Sequence, residues 1–296
     1  MSDASEQYCP SVLITGCSSG IGLACARVLA AAGWRVFASV RNDHDAEQLV
    51  ATGANVHPLI FDVTDEAMVQ AAIAQVSTLV GSCGLDAIVN NAGIVVPGPM
   101  ELLSTEDFHR QFAVNVFGVH TVIRAAMPLV RLAQLQRVKQ RLGSARIVLI
   151  GSISGRVTPP YYGAYAASKH ALEAMADAWR LELRPWKIAV SLIQPDSIAT
   201  PIWNKVSHQI DELPDENTAE VAARYKEQLR SATRSSLTMG RTGLPTATVV
   251  SAVRRCLTAR IPRSHYRVGL RTHAAVIASN LLPVRWMDYI MQRAMR

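Results

Sequence analysis

The chain has 296 residues, of which 49% are hydrophobic and 18% charged, a composition typical of a globular protein. Its formal net charge of +7 would suit a nucleic acid or an anionic membrane, but the basic residues are spread along the chain. They also lack the interleaved aromatic residues of a single-strand binder, so we expect no nucleic-acid partner. The five cysteines form no Cys-x-x-Cys pair, which indicates reduced thiols in a cytoplasmic protein and no metal site.

The two ends of the chain contain no segment that reads as a membrane span. Residues 1–10 lack a signal-sequence pattern and are predicted to be an N-terminal tail. The apolar stretch at 273–290 is interrupted by Pro283, Arg285 and Asp288, so it is too broken to cross a bilayer. An amphipathic helix fits this stretch, and peripheral contact with a membrane surface stays open.

Strand-like and helix-like segments alternate along most of the chain. In chain order the pattern predicts a strand at 11–15, a helix at 22–33, a strand at 35–40, a helix at 45–52, a strand at 55–63, a helix at 64–81 that Thr64 caps, a strand at 85–93, a helix at 105–135, a strand at 145–152, a helix at 163–185 and a strand at 187–195. Continuous apolar strands between helices indicate an α/β fold, with a doubly wound parallel sheet covered on both faces.

Residues 196–245 break this alternation and are predicted to be an irregular region, followed by a closing helix-strand-helix passage. Within the irregular region, Pro201 suits the first position of a helix over 201–213. Its apolar residues fall on one side at spacings of three and four: Ile202, Trp203, Val206, Ile210 and Leu213. That side either packs on the core or lines a pocket. Since no repeat or linker is visible, we expect one domain over 1–296.

A glycine-rich turn, "TGCSSGIG" at 15–22, joins the first predicted strand to the first helix. Gly16, Gly20 and Gly22 allow a tight turn and let a pyrophosphate approach the helix N-terminus, where free N–H groups and the helix dipole favour anions. The alternative to dinucleotide binding is a structural turn that needs glycine only for its backbone angles. The position between a strand and a helix favours dinucleotide binding.

The ends of the next strands suggest which dinucleotide binds. Val40 occupies the place where an acidic residue of an NAD site would accept hydrogen bonds from the ribose, and Arg41 follows it. A guanidinium can bind a 2′-phosphate, so we predict NADP(H) rather than NAD(H). Asp62 and Val63 would flank the adenine ring, and the Asn-Asn-Ala-Gly run at 90–93 lies at the carboxyl edge where ligands bind.

Two residues of "YYGAYAASKH" at 161–170 can carry proton chemistry. Tyr165 and Lys169 stand four residues apart and share a helix face, so an ammonium lies near a phenol and favours its ionised form. Ser152 ends the fifth strand at the same sheet edge, where a hydroxyl can donate to a substrate oxygen. Ser154 is the competing hydroxyl and lies beyond the strand end.

In order and spacing, these motifs resemble the short-chain dehydrogenases/reductases of the branch marked by TG-x-x-x-G-x-G. The resemblance covers residues 11 to 200 and includes Asn115 in "VNVFG". It implies a Rossmann-type fold with a Ser-Tyr-Lys-Asn tetrad: Tyr165 as general acid/base, Ser152 polarising the carbonyl, Lys169 binding the nicotinamide ribose, and Asn115 holding a water at a helix distortion. It implies cofactor contacts from Gly16, Ser18, Ser19, Gly20, Ile21, Gly22, Arg41, Asp62, Val63, Asn90, Ala92, Gly93, Tyr165, Lys169, Pro195, Ile198 and Thr200.

One position departs from the family pattern, since Pro195 is followed by Asp196 where the family usually has glycine. A softer resemblance links "ASVRN" and the C-terminal region to 17β-hydroxysteroid and retinol dehydrogenase-like members. The family further implies a homodimer or homotetramer, and a helical lid at 196–245 that covers the substrate.

The sequence therefore predicts an NADP(H)-dependent oxidoreductase for a secondary alcohol or ketone, with a bulky hydrophobic substrate of steroid, retinoid or long-chain type. The alternatives are an inactive NADP(H)-binding regulator or scaffold, and an NAD-preferring hydroxyacyl or 3-hydroxybutyrate-type dehydrogenase. A sugar epimerase or dehydratase is disfavoured by the glycine spacing.

Overall fold

The computed structural model describes residues 8–211 and 219–294. Within these ranges the strands are β1 (Ser11–Ile14), β2 (Arg35–Val40), β3 (Val56–Ile60), β4 (Ala87–Asn90), β5 (Arg146–Ile150), β6 (Ala189–Pro195) and β7 (His265–Val268). They form a seven-stranded parallel sheet in the order β3-β2-β1-β4-β5-β6-β7. The order of strands reverses between β1 and β4, which opens a crevice at their carboxyl ends.

Helices connect the strands and cover both faces of the sheet. In the described residues they are α1 (Gly20–Ala31), α2 (Asp43–Val50), α3 (Glu66–Val80), α4 (Thr105–Phe112), α5 (Val119–Lys139), α6 (Gly163–Glu182), α7 (Ile202–Asp211), α8 (Ala219–Thr242), α9 (Thr246–Thr258), α10 (Leu270–Leu281) and α11 (Val284–Ala294). The apolar cluster on one face joins the sheet to α1, α2 and α9, and the cluster on the other face joins it to α3, α5 and α6.

Burial of the strands on both sides explains their continuous apolar sequence. Every residue of β1, β4 and β5 is buried, because helices shield both faces. The predicted α/β class, with a doubly wound parallel sheet of Rossmann type, is therefore confirmed.

The predicted helix at 105–135 is divided in the structure. α4 ends at Phe112, a π-helical segment occupies Ala113–Gly118, and α5 continues to Lys139. By length and composition the whole stretch Thr105–Lys139 could cross a membrane, but 61% of its most apolar window is buried inside the protein. It serves as a core helix of this fold.

Two details of the local predictions were wrong. Thr64 does not cap α3; Asp65 does, since its side chain accepts from the backbone N–H of Met68 at 2.9 Å, while the Thr64 hydroxyl donates to Asp62. The helix predicted at 201–213 is present as α7, but the region predicted to be irregular also contains the 24-residue α8, which was not predicted.

Candidate functional site

A cavity of about 350 Å³ lies at the crevice between β1 and β4. Most of the predicted site residues line it: Gly16, Ser18, Ser19, Gly20, Ile21, Arg41, Asp62, Val63, Ala92, Gly93, Ser152, Tyr165, Lys169, Pro195, Ile198 and Thr200. Gly22, Asn90 and Asn115 do not line it and lie behind its wall. The parallel sheet gathers the lining residues because the loops after its strands meet at one edge.

The glycine turn is tied to the end of β4 by side chains that the sequence analysis did not single out. The Thr15 hydroxyl accepts from the backbone N–H groups of Asn91 and Ala92 at 3.0 and 2.9 Å. The Asn91 side chain donates back to the carbonyls of Thr15 and Gly16 at 2.8 and 3.0 Å. These four bonds hold the turn at a fixed distance from the neighbouring strand. The only sequence signal for them is a polar residue at the end of each of two adjacent strands.

The shape of the turn fits a pyrophosphate. Gly16 and Gly20 have φ angles of 71° and 59°, which glycine adopts without strain. A Cβ at Gly22 would lie 2.2 Å from the Gly16 carbonyl oxygen, so this glycine permits close packing of α1 on the turn. The N-terminus of α1 opens into the cavity at Ser18 and Ser19, where its first N–H groups and dipole favour an anion.

The predicted adenosine-binding residues lie at one end of the same cavity. Arg41 is exposed at the end of β2, directly after the buried Val40. Asp62 is held in place by accepting from the backbone N–H and the hydroxyl of Thr64 at 2.9 and 2.7 Å. Arg35, at the other end of β2, donates to the Leu79 carbonyl instead. Arg41, which directly follows β2, therefore lines the cavity, whereas Arg35 lies at the opposite end of the strand.

Ser152, Tyr165 and Lys169 converge at the other end of the cavity. Ser152 lies close enough to Tyr165 for its side chain to affect the pKa of the phenol. The Lys169 ammonium donates to the Ile150 carbonyl at 2.9 Å and lies 5.7 Å from the centroid of the Tyr165 ring. Ser154 also lines the cavity, and its backbone N–H donates to the Ser152 hydroxyl at 3.1 Å, which orients that hydroxyl.

Burial shifts the proton affinities of both titratable groups. It raises the pKa of the Tyr165 phenol, and the neighbouring Ser152 side chain partly opposes that shift. Burial lowers the pKa of the Lys169 ammonium to about 8. From the sequence, the ammonium was expected to lower the tyrosine pKa, but in this structure desolvation is the largest effect on the phenol. At neutral pH Tyr165 is therefore protonated and can donate a proton.

Asn115 lies in the π-helical segment and is fully buried. Its side-chain nitrogen donates to the Ile94 carbonyl at 3.0 Å and to the Ser168 hydroxyl at 3.1 Å, and its oxygen accepts from the Ile94 N–H at 2.9 Å. A Cβ at Gly93 would lie 3.3 Å from the Asn115 oxygen and 3.8 Å from the Lys169 nitrogen. Glycine at this position keeps the space between those two side chains open.

Asp196, at the place where the family usually has glycine, causes no backbone strain. Its φ is not among the positive angles of the described non-glycine residues, which are those of Arg141, Tyr161 and Lys187. Its carboxylate accepts from the Ser197 N–H at 2.7 Å, and its own N–H donates to Val268 of β7 at 2.9 Å. The chain path after β6 is therefore held by hydrogen bonds rather than by a left-handed glycine.

The segment after β6 covers the cavity with apolar side chains. Ile202, Trp203 and Val206 of α7 line it, together with Met239 of α8. The Trp203 indole donates to the Ile198 carbonyl at 2.8 Å, which anchors α7. The side chain of Ile210 and the whole of Leu213 lie outside the described residues. Tyr162, Val95 and Met239 are lining residues that the sequence analysis missed, because nothing in their spacing separates them from core positions.

The arrangement combines an anion-binding turn with a hydroxyl, a phenol and an ammonium at one cavity. It can hold a dinucleotide and give or take a proton at a carbonyl oxygen beside it, which is the chemistry of a nicotinamide-dependent oxidoreductase. The family model for short chain dehydrogenases matches residues 10–211. The protein belongs to the short-chain dehydrogenase family, as its motifs predict.

Known proteins resemble the chain over nearly its whole length. An uncharacterized oxidoreductase, YbbO, of Escherichia coli (strain K12) is 38% identical, with 95% of this chain and 94% of the relative covered. The NADPH-dependent 3-dehydrocapnine reductase of Ornithobacterium rhinotracheale is 32% identical, with 96% of each covered. The 17-beta-hydroxysteroid dehydrogenase type 6 of Bos taurus is 33% identical, with 96% and 88% covered.

A solved structure shows the same architecture. The crystal structure of a short-chain dehydrogenase from Streptomyces avermitilis is 25% identical to this chain, covers 98% of both chains and has a TM-score of 0.76. Together with the hydroxysteroid dehydrogenase relative, this likeness confirms the predicted family and branch.

The buried ammonium of Lys169 leads to a prediction about stability. Below a pH of about 8 the ammonium is charged in the folded protein at a desolvation cost, and this cost is relieved as the pH rises from about 8 to 10.5, where the unfolded lysine also loses its proton. Lys169→Met should therefore raise the free energy of unfolding at about pH 7, by on the order of 2 kcal/mol after allowing for the lost bond to Ile150. The gain should shrink toward about pH 10.

Urea unfolding of the two proteins at both pH values measures this difference. Lys139→Met, at an exposed lysine, is the matched control and should change the free energy of unfolding little at either pH. A Lys169→Met protein that is less stable than the parent at neutral pH, or a difference that does not vary with pH, would contradict the desolvation account.

Proposed function

We propose that the protein is an NADP(H)-dependent oxidoreductase that interconverts a bulky hydrophobic ketone and its secondary alcohol. The observation that carries the proposal is the convergence of Ser152, Tyr165 and Lys169 on one cavity that also contains the glycine turn. Membership of the short-chain dehydrogenase family supports the oxidoreductase chemistry. The roles of single residues, the cofactor preference and the substrate class are our proposals.

The cofactor, when bound, supplies or accepts the hydride. For the protein's own residues we assign the following roles. Ser152 donates a hydrogen bond to the substrate oxygen as negative charge develops on it. Tyr165, protonated because burial raises its pKa, gives its proton to that oxygen in reduction and takes it back in oxidation. The Lys169 ammonium stabilises the tyrosinate that forms after transfer and hydrogen-bonds to the cofactor ribose.

Asn115 acts at a greater distance from the substrate. Its buried amide ties the π-helical segment to Ile94 and to Ser168, one residue before Lys169. We propose that it fixes the position of the part of α6 that carries Lys169 relative to the loop after β4. The predicted water between Asn115 and Lys169 stays a proposal, supported by the open space at Gly93.

The residues at the adenosine end support a preference for NADP(H). An exposed guanidinium at Arg41, next to the uncharged Val40, can pair with a 2′-phosphate, and a nearby carboxylate that would repel it is missing from the end of β2. The hydroxyl of Ser18, in the glycine turn, offers a second contact for the 2′-phosphate. The relative named as an NADPH-dependent reductase is consistent with this preference.

Arg41→Ala tests the cofactor proposal. Because a charge-assisted contact to the 2′-phosphate would be lost, kcat/KM for NADPH should fall by about tenfold to a hundredfold, while kcat/KM for NADH should stay within about threefold. Arg35→Ala, at the opposite end of the same strand, is the control and should leave both values unchanged. An NADPH-to-NADH ratio that Arg41→Ala does not alter would mean that another residue recognises the phosphate.

The apolar lining contributed by α7 and α8 supports a hydrophobic substrate. Ile202, Trp203, Val206 and Met239 face the cavity, and the region 196–245 would act as a lid over the ligand. Apolar walls with few polar groups are typical of sites for hydrophobic ligands. The relative named as a hydroxysteroid dehydrogenase is consistent with this class.

Substrate class is tested by comparing a bulky hydrophobic ketone with a small hydrophilic one, both with NADPH. The parent enzyme should prefer the bulky ketone, and Trp203→Ala should raise its KM at least about tenfold, with little change for the small ketone. Trp203→Phe keeps most of the apolar area but removes the bond to Ile198, so it separates substrate contact from anchoring of α7. A parent that prefers small ketones, with Trp203→Ala neutral for both, would overturn the proposal.

The proposal includes a homo-oligomer in the cytoplasm. All five cysteines are free thiols, which suits a reducing compartment. Exposed apolar side chains at Phe117, Leu135 and Val138, along the π-helical segment and α5, offer a surface for a second copy. The complete set of Ser152, Tyr165 and Lys169 argues against an inactive regulator or scaffold.

A further inference from the structure

The positive charge of the protein is concentrated in its last quarter. Residues 228–296 contain 12 arginines, no lysine and a single acidic residue, Asp288, which gives this part of the chain a formal charge of +11. Because the whole chain carries +7, residues 1–227 carry −4. Such an asymmetry attracts a partner with negative charge to this part of the chain.

Exposed apolar side chains are concentrated in the same part of the chain. Of the 20 large apolar residues that are exposed in the described ranges, nine lie between residues 261 and 290. Leu270, Ile261 and Leu281 are 90%, 85% and 76% exposed, and Trp286 is 64% exposed. Exposed apolar side chains that are enriched in one part of a chain are candidates for an interaction site.

α10 and α11 contact each other, and we call the surface that they form the C-terminal surface. β7 is an edge strand of the sheet, and α10 packs against it and against the turn at 153–155. The Arg156 guanidinium donates to the Asn280 side chain at 2.7 Å and holds α10 in place. In the described ranges α11 packs mainly on α10, and most of its residues are exposed to solvent.

The chemistry of the C-terminal surface matches a lipid headgroup region. Trp286 and Tyr289 are aromatic residues with a polar edge, which favour the boundary between headgroups and acyl chains. Val284 and Ile290 add aliphatic area beside them. The arginines on α10 and α11, at 271, 285 and 293, form no ion pair among the described residues, so their charges are available to anionic headgroups.

We propose that the C-terminal surface binds the headgroup region of an anionic lipid bilayer, with the apolar side chains of α11 inserted and the arginines on lipid phosphates. Apolar area and cationic charge together are what amphipathic helices require for such binding. A nucleic acid would use the arginines but leave the aliphatic side chains exposed. A second copy of this chain that docked through the same surface would place arginine against arginine, because the surface carries one acidic residue.

The C-terminal surface begins beside the wall of the cavity, so membrane binding would bring the cavity close to the bilayer. Leu270 and Arg271, at the start of α10, line a cleft of about 490 Å³. Asp196, Ser197 and Met239 belong both to this cleft and to the wall of the catalytic cavity. A protein bound through α10 and α11 would hold the mouth of its cavity beside the membrane, from which a hydrophobic compound can enter.

Vesicle binding of the full chain tests the proposal. The protein should co-sediment with vesicles of phosphatidylcholine mixed with phosphatidylglycerol, but weakly with phosphatidylcholine alone, and added salt should release it. Arg285→Glu with Arg293→Glu should weaken binding by at least about thirtyfold, at about 1 kcal/mol for each charge removed. Trp286→Ala with Ile290→Ala should weaken it by at least about tenfold.

Matched variants elsewhere on the surface separate this site from general charge and hydrophobicity. Trp186→Ala removes another exposed tryptophan, which lies under the Arg131 guanidinium, and Arg27→Glu with Arg184→Glu makes the same charge change outside residues 228–296. Both should retain most vesicle binding. Trp286→Phe should also bind, and should lose the blue shift of tryptophan fluorescence that vesicles cause in the parent.

Three outcomes would overturn the proposal. One is the absence of binding to anionic vesicles, or binding that the C-terminal variants and the matched variants change equally. Another is tight binding of duplex DNA that Arg285→Glu with Arg293→Glu abolishes while Trp286→Ala with Ile290→Ala leaves it intact. The third is a change from a larger to a smaller oligomer in lipid-free sedimentation equilibrium for Trp286→Ala with Ile290→Ala. None of these measurements depends on turnover, so they are independent of the proposed activity.

Discussion

The reversal of strand order between β1 and β4 is the constraint on which the site depends. Strands on either side of this point lead their connections to opposite faces of the sheet, so the carboxyl ends of β1 and β4 are left with an open crevice between them. The glycine turn follows β1, Asn91 and Gly93 follow β4, and Ser152 follows β5. The cavity therefore exists because of the topology, and the side chains decide what it does.

Within that crevice, burial of the Lys169 ammonium and the Tyr165 phenol costs desolvation free energy. Lys169 is a buried cation whose hydrogen-bond acceptor in the described residues is a single carbonyl, that of Ile150, and its pKa falls to about 8 as a result. Burial also raises the pKa of Tyr165. A negatively charged tyrosinate or a cofactor hydroxyl beside the ammonium would offset part of this cost. Under the proposed roles, the site would stabilise a state of the reaction better than it stabilises the resting protein.

Much of this could be predicted from the sequence, because the parallel sheet requires long apolar strands and the glycine turn requires residues that tolerate positive φ. Both are local signals. The helix distortion now seen as the π-helical segment at Ala113–Gly118 was expected only from the family resemblance, through Asn115, because its residues give no local signal of a break. α8 was not predicted either, although it carries the fully buried Ala232 and Ser236. The Thr15 and Asn91 bonds join residues 76 apart, which no local pattern describes.

The proposed reaction depends most directly on Tyr165 as the proton donor and acceptor. The decisive measurement is turnover of a hydrophobic ketone by the Tyr165→Phe protein, with NADPH binding to the same protein followed by cofactor fluorescence. The account predicts a loss of kcat of at least about a thousandfold, while the dissociation constant for NADPH stays within about threefold, because only the transferable proton is removed. Turnover within about tenfold of the parent protein, with the same cofactor affinity, would contradict the assignment.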